Sequence, residues 1–264
     1  MRVRADAGAR VLKRAAATTF QWTVVLAILL FVWARTAPNV DRIFLVGPGP
    51  VFDRLAEWLG DGTLWGWMQT SVSTALLGLT FGSVAGIVLA TVVGLGPPLV
   101  GELVEPVVSA KYAMPTFVFA PLIYIWLGND FVPRVVFVSL ACFPIVFIYT
   151  MTGIRTIDPA RVVMMKLLGT SRTQLAQKLI VPSTLSYIAT SLTIASKTSV
   201  VSALGAEILF GSSDGLGGRL YLNSQQFNTT NVLALLVTAT IVATIYIRLF
   251  QVLRKVGSDA RVAQ

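Results

Sequence analysis

Histidine is absent from this 264-residue chain, and cysteine occurs once, at Cys142. The His/Cys sets of ordinary zinc sites cannot be assembled from that inventory, and an intrachain disulfide is impossible. No metal and no cofactor is expected. Charge is scarce as well: 12% of residues are charged, half of the roughly 25% usual in a soluble domain. No G-x-x-x-x-G-K-[ST] phosphate loop occurs, so ATP is not bound through that element. The few carboxylates are scattered, with no pair set for acid–base work. A membrane enzyme is accordingly the weakest reading.

What fills the space is apolar. Hydrophobic residues make up 55% of the chain, the mean hydropathy is +0.75, and apolar stretches of about 17–25 residues, enough to cross a bilayer, recur along it. The expectation is an all-α integral membrane protein with six transmembrane helices, in contact with membrane lipid. The net charge of +9 would suggest nucleic acid in a soluble chain. Here it sits in short segments beside the spans, where it sets orientation, and no nucleic acid is expected.

Taken in order, residues 1–18 are a basic cytoplasmic arm, followed by a first span from Thr19 to Ala34 with Trp22 and Trp33 near its ends. That run reads as a retained span rather than a secretory signal. Leu45 to Pro50 is a turn cluster, and Val51 to Leu59 a short amphipathic helix at the outer interface. The second span, Thr63 to Gly94, carries Gly78, Gly82 and Gly86 at intervals of four, a seam for close helix packing. The third, residues 99–127, holds Pro106, Pro115 and Pro121 and is expected to be kinked and surrounded by protein. Spans four (Arg134 to Thr152), five (Ser183 to Phe210) and six (Asn231 to Phe250) follow, with Gly211 to Asn228 as an outer loop. Counting Lys and Arg in this arrangement gives fourteen inside against five outside, so both termini are expected in the cytoplasm. Residues 19–255 then form a single transmembrane domain, and 256–264 a cytoplasmic tail.

Between spans four and five lies a basic stretch with a helical pattern, Asp158 to Pro182. Asp158 suits an N-cap, Pro159 the first helical position and Gly169 a C-terminal glycine. Ser171 to Gln174 reads as a capping box opening a second helix, which Pro182 closes. Apolar Val162, Val163, Met165 and Leu168 on this charged pair point to a docking surface.

Gly169, the gap after it and Leu179-Ile180-Val181-Pro182 resemble the cytoplasmic "EAA" loop of ABC-importer permeases. Val163-Met164-Met165 stands where that family has Glu-Ala-Ala. Lys111 to Pro115, the stretch ending Trp126-Leu127-Gly128, Ala206-Glu207-Ile208 and Gly215-Leu216-Gly217 are similar to the nitrate/sulfonate/taurine branch. The resemblance spans roughly residues 45–255. It implies a permease subunit paired with a second one, expected as a homodimer. It further implies that ATP hydrolysis lies on separate ATPase subunits and that an extracytoplasmic solute-binding protein delivers the solute. The segment 158–182 would be the coupling helix pair, with Asp158, Pro159, Arg161, Met164, Met165, Lys166, Gly169, Arg172 and Pro182 at the ATPase contact.

Two lysines, Lys111 and Lys197, fall inside apolar spans, where an uncompensated charge costs at least ~2.5–3.5 kcal/mol. Two readings stand. Either they line a translocation pathway for an anion, together with Met114, Pro115 and Glu207, or they snorkel or pair with Glu105 and Glu207 as structural glue. For Glu207, near the outer end of its span, the structural role of holding the Gly-rich stretch is favoured. A small sulfonate-, taurine- or nitrate-like solute fits the first reading. The competing class is an ion-coupled carrier or channel using the same intramembrane charges.

Overall fold

The computed structural model describes residues 21–262 except Trp22. The basic arm at 1–18 and Trp22 lie outside the described residues. Among the described residues every regular element is a helix. We number them α1 (Thr23–Asn39), α2 (Pro48–Gly60), α3 (Thr63–Leu95), α4 (Pro98–Ala113), α5 (Ala120–Leu127), α6 (Phe131–Arg155), α7 (Pro159–Leu167), α8 (Arg172–Leu175), α9 (Val181–Leu209), α10 (Gly215–Gln225) and α11 (Thr229–Val262). Four helical stretches are long and apolar enough to cross a membrane, and the bent α4–α5 pair makes a fifth candidate.

The described chain falls into two compact units. The smaller holds α1, α2 and the segment Asn223–Ala234. Within it Trp33 donates from Nε1 to the Val46 carbonyl at 2.8 Å, and Thr229 donates to the Ile43 carbonyl. Pro48, Gly49 and Pro50 are not a separate turn but the first turn of α2. Prolines lose nothing there, because the first amides of a helix have no internal acceptor.

The larger unit is organised by α3, α6 and α9. Ala75 and Leu79 of α3, Val138, Cys142 and Val146 of α6, and Ala195 and Ala203 of α9 form one buried core. Alanines stand in it among larger aliphatic side chains; in lipid apolar burial gives helices little mutual preference, so close backbone approach contributes. The glycine seam is where α3 meets α6. A Cβ on Gly82 would stand 2.6 Å from the Ser139 carbonyl oxygen, and one on Gly86 2.9 Å from the Phe143 carbonyl oxygen. Gly78 faces the Val138 side chain in the same way.

Three expectations change. The third span is not one kinked helix: α4 stops at Ala113, and the chain turns by 96° before a 3-10 turn, Thr116–Phe119, leads into α5. Met114 and Pro115 are extended at the break, as the residue before a proline favours. Pro182 does not end a helix either. A π turn, Ala176–Ile180, joins α8 to α9, and Pro182 sits in the first turn of α9 within one continuous helical run. The wider turn accommodates the ring and its missing N–H at the i−4 carbonyl. Finally, Gly211–Asn228 is not a loop, because α10 occupies most of it.

Candidate functional site

Three clusters of polar side chains stand out on this apolar frame, all within the larger unit. The first is the α4–α5 break. Lys111, in the last turn of α4, donates from Nζ to Thr116 Oγ1 at 3.1 Å and lies 6.0 Å from the Phe119 ring centre. Met114 and Pro115 are exposed beside it. Lys197, on the middle of α9, is exposed and has no hydrogen-bond or ion-pair partner among the described residues. The two lysines therefore do not pair with Glu105 and Glu207 as the glue reading has it.

Each of those acids has another partner. Glu105 of α4 binds Arg155, the last residue of α6, through both oxygens at 2.7 and 2.6 Å. Arg155 is 67% exposed at its side chain, so water screens the pair and its net worth is about 0–1 kcal/mol. Its placement is more informative than its strength. It lies in an open cleft of about 490 Å³ lined also by Gly94, Pro97, Glu102 and Ile154, three residues before the N-cap of α7.

Glu207 belongs to the second cluster, at the opposite ends of α3, α6 and α9. Its side chain is fully buried. Oε2 accepts from Ser71 Oγ of α3 at 2.9 Å and from the Gly217 amide of α10 at 2.8 Å. Ser71 Oγ in turn accepts from the Leu216 amide at 2.9 Å. Arg134 of α6, also buried, donates to Ser212 Oγ at 2.9 Å and to the Asp130 carbonyl at 3.1 Å. Buried polar groups with partners contribute modestly, whereas stranding one costs about 1–3 kcal/mol. Ser71, Arg134 and Ser212 were not singled out from sequence. Arg134 stood as the first residue of span four, and serines carry no signal of their own in an apolar span.

The third cluster is the α7–α8 pair. Asp158 accepts from the Ala160 amide at 2.9 Å as N-cap, with Pro159 in the first turn. Gly169 ends the turn with φ +74°, a left-handed backbone that costs glycine little. Ser171 and Gln174 satisfy both halves of a capping box. Arg161, Met164, Lys166 and Arg172 are exposed, and Met165 is half-buried. The apolar face is bare: Leu167 is 83% exposed and Leu168 71%. Among the described residues no group of three or more His, Cys, Asp or Glu side chains is placed to hold a metal ion. The run Gly211 to Gly215 has G-x-S-x-G spacing but follows a helix, and the chain has no histidine to activate Ser213.

With this geometry in place, residues 82–256 match the family described as "Binding-protein-dependent transport system inner membrane component". The chain is 28% identical over 225 residues to the taurine transport system permease protein TauC of Escherichia coli (strain K12), covering 83% of this chain and 81% of that one. It is 26% identical to the putative aliphatic sulfonates transport permease protein SsuC of Bacillus subtilis (strain 168), covering 78% and 74%. In fold it is similar to a chain of a bacterial alginate ABC transporter solved with an alginate pentasaccharide-bound periplasmic protein. That match has a TM-score of 0.63 and 15% identity, and covers 91% of this chain and 92% of the other.

Proposed function

Since the chain belongs to the family of inner membrane components of binding-protein-dependent transport systems, we propose that its solute is a small sulfonate-, taurine- or nitrate-like anion. As such a component it is a multi-pass permease subunit of an ATP-driven importer, working with a separate ATPase and a binding protein. That membership sets aside the ion-coupled carrier, the channel and the enzyme. The observation carrying the anion reading is Lys197, exposed and unpaired among the described residues on an apolar helix. A charge so placed is costly in hydrocarbon and marks a wet path or a partner. The likeness to taurine and sulfonate permeases supports the same class of solute.

In the arrangement we favour, six spans form one domain over residues 19–255, with 1–18 and 256–264 as cytoplasmic arm and tail. Two copies of the chain enclose the pathway, lined by Lys111, Met114, Pro115 and Lys197. The α7–α8 pair enters a groove on the ATPase, where bare Val163, Met164, Leu167 and Leu168 lose their exposure and basic Arg161, Lys166 and Arg172 face acidic groups. Closure of the ATPase dimer moves this pair and so switches access between the two faces. The binding protein delivers solute at the opposite ends of the helices.

The test is uptake by the assembled complex, with a solute first chosen by thermal-shift screening of its binding protein against taurine, alkanesulfonates and nitrate. Lys197→Ala is expected to lower uptake at least tenfold while the subunits still co-purify, and Lys197→Arg to retain most of it. Full uptake by an assembled Lys197→Ala complex would end the proposed role.

A further inference from the structure

Neither the lysines nor the α7–α8 pair accounts for Glu207, the most thoroughly buried acid among the described residues. Glu207 lies at the last turn of α9, four residues before Gly211, and the chain then doubles back into α10. The first turn of α10 is Gly215, Leu216, Gly217 and Gly218, all of them buried. The lack of side chains at Gly215 and Gly217 is what lets this turn come so close to the carboxylate. A Cβ on Gly215 would lie 2.5 Å from Glu207 Oε1, and one on Gly217 would lie 3.0 Å from Oε2. The amides of Leu216 and Gly217, two of the amides that a helix cannot satisfy internally, are taken by Ser71 Oγ and Glu207 Oε2. The positive end of the helix dipole therefore meets a carboxylate supplied by a different helix.

The contact is braced by two further helices, α3 and α6. Ser71 brings in α3. Arg134 brings in α6 and lies close enough to Glu207 to act on it electrostatically, while its Nη1 holds Ser212 at the approach to α10. On the next turn, Arg219 lies over the Trp67 ring of α3, 4.9 Å from its centre. Among the described residues this carboxylate is fully buried.

We propose that Glu207 is a positioning residue: with Ser71 it clamps the N-terminus of α10 to the ends of α3, α6 and α9, so that this end of α10 stays seated throughout the transport cycle. The mobile parts of the cycle then lie elsewhere, and the segment after α9 is a fixed platform rather than a flap. The clamp depends neither on the identity of the solute nor on which face of the membrane these helix ends occupy. It also separates cleanly from a pathway role for Glu207. A clamp needs an acceptor oxygen, which glutamine keeps; a pathway charge needs the charge, which glutamine loses.

The experiment is backbone hydrogen exchange read by mass spectrometry on the whole importer complex in lipid nanodiscs. It compares the parent chain, Glu207→Gln, Glu207→Ala and Ser71→Ala. In the parent, the segment 214–219 is expected to be protected to the same extent without nucleotide and with a non-hydrolysable ATP analogue. Glu207→Ala should speed its exchange at least tenfold, Ser71→Ala about threefold to tenfold, and Glu207→Gln less than threefold, with the middle of α3 unchanged in all. Should Glu207→Ala fail to accumulate in the membrane, Ser71→Ala decides alone. Parent-like protection in the Ala variants, or parent protection lost in either nucleotide state, would overturn the clamp. Exchange in Glu207→Gln as fast as in Glu207→Ala would do the same and return the residue to a charge-dependent role.

Discussion

At Gly82 the addition of one methyl group has nowhere to go, because what it meets is backbone: the Ser139 carbonyl, 2.6 Å away. Gly205, on α9, has nothing within 4 Å of its would-be Cβ. The same substitution should therefore act with opposite sign at the two sites. Gly82→Ala is expected to destabilise by about 1–3 kcal/mol through overpacking of α3 on α6. Gly205→Ala should be neutral or stabilising by up to about 0.5–1 kcal/mol, the helix-interior cost of glycine. Thermal unfolding of the detergent-solubilised protein measures both. The seam at Gly78, Gly82 and Gly86 was legible because an interval of four puts residues on one helix face; its partner, α6, was not, because spacing along one helix says nothing of which helix lies opposite. Charged side chains were the harder case. Lys111 and Glu105 are six residues apart in sequence, yet Glu105 turns to Arg155, fifty residues on, and Lys111 to Thr116.

Helix ends were legible where a single side chain sets them. Asp158 and the Ser171–Gln174 box are local devices with partners two or three residues away, so sequence alone identifies them. Pro182 misled because a proline signals the loss of one hydrogen bond, not the way the chain absorbs that loss, and a π turn absorbs it here. Gly215, Gly217 and Gly218 misled in the same manner: glycines imply a loop until a buried Glu207 supplies the reason for the first two and the Ser212 backbone for the third. Within the α7–α8 pair the hinge is Gly169, at φ +74°. An alanine there carries the left-handed penalty of about 1–2 kcal/mol. If this pair is the coupling element, Gly169→Ala should weaken co-purification of the ATPase roughly five- to thirtyfold, whereas Thr173→Ala, on the exposed side of α8, should leave it within twofold.

For the molecule as a whole, orientation rests on the excess of Lys and Arg in the segments assigned to the inside. It can be measured directly, because the single natural thiol, Cys142, is buried. Cysteines introduced at exposed Ser213 and Ser171 are therefore the reactive ones. A membrane-impermeant maleimide added to intact spheroplasts is expected to label Ser213→Cys and to spare Ser171→Cys until the membrane is opened. The reverse pattern would invert the topology and detach the α7–α8 pair from any cytoplasmic ATPase. The break after α4 also matters at this scale. At 16 residues and about 1.5 Å per residue, α4 is roughly 24 Å long, short of the ~30 Å hydrocarbon layer. A helix of that length entering the layer at one face ends before the other, and its carbonyl end carries a partial negative charge. Lys111, in the last turn of α4, offsets that charge, and losing it would leave the break with an uncompensated negative end.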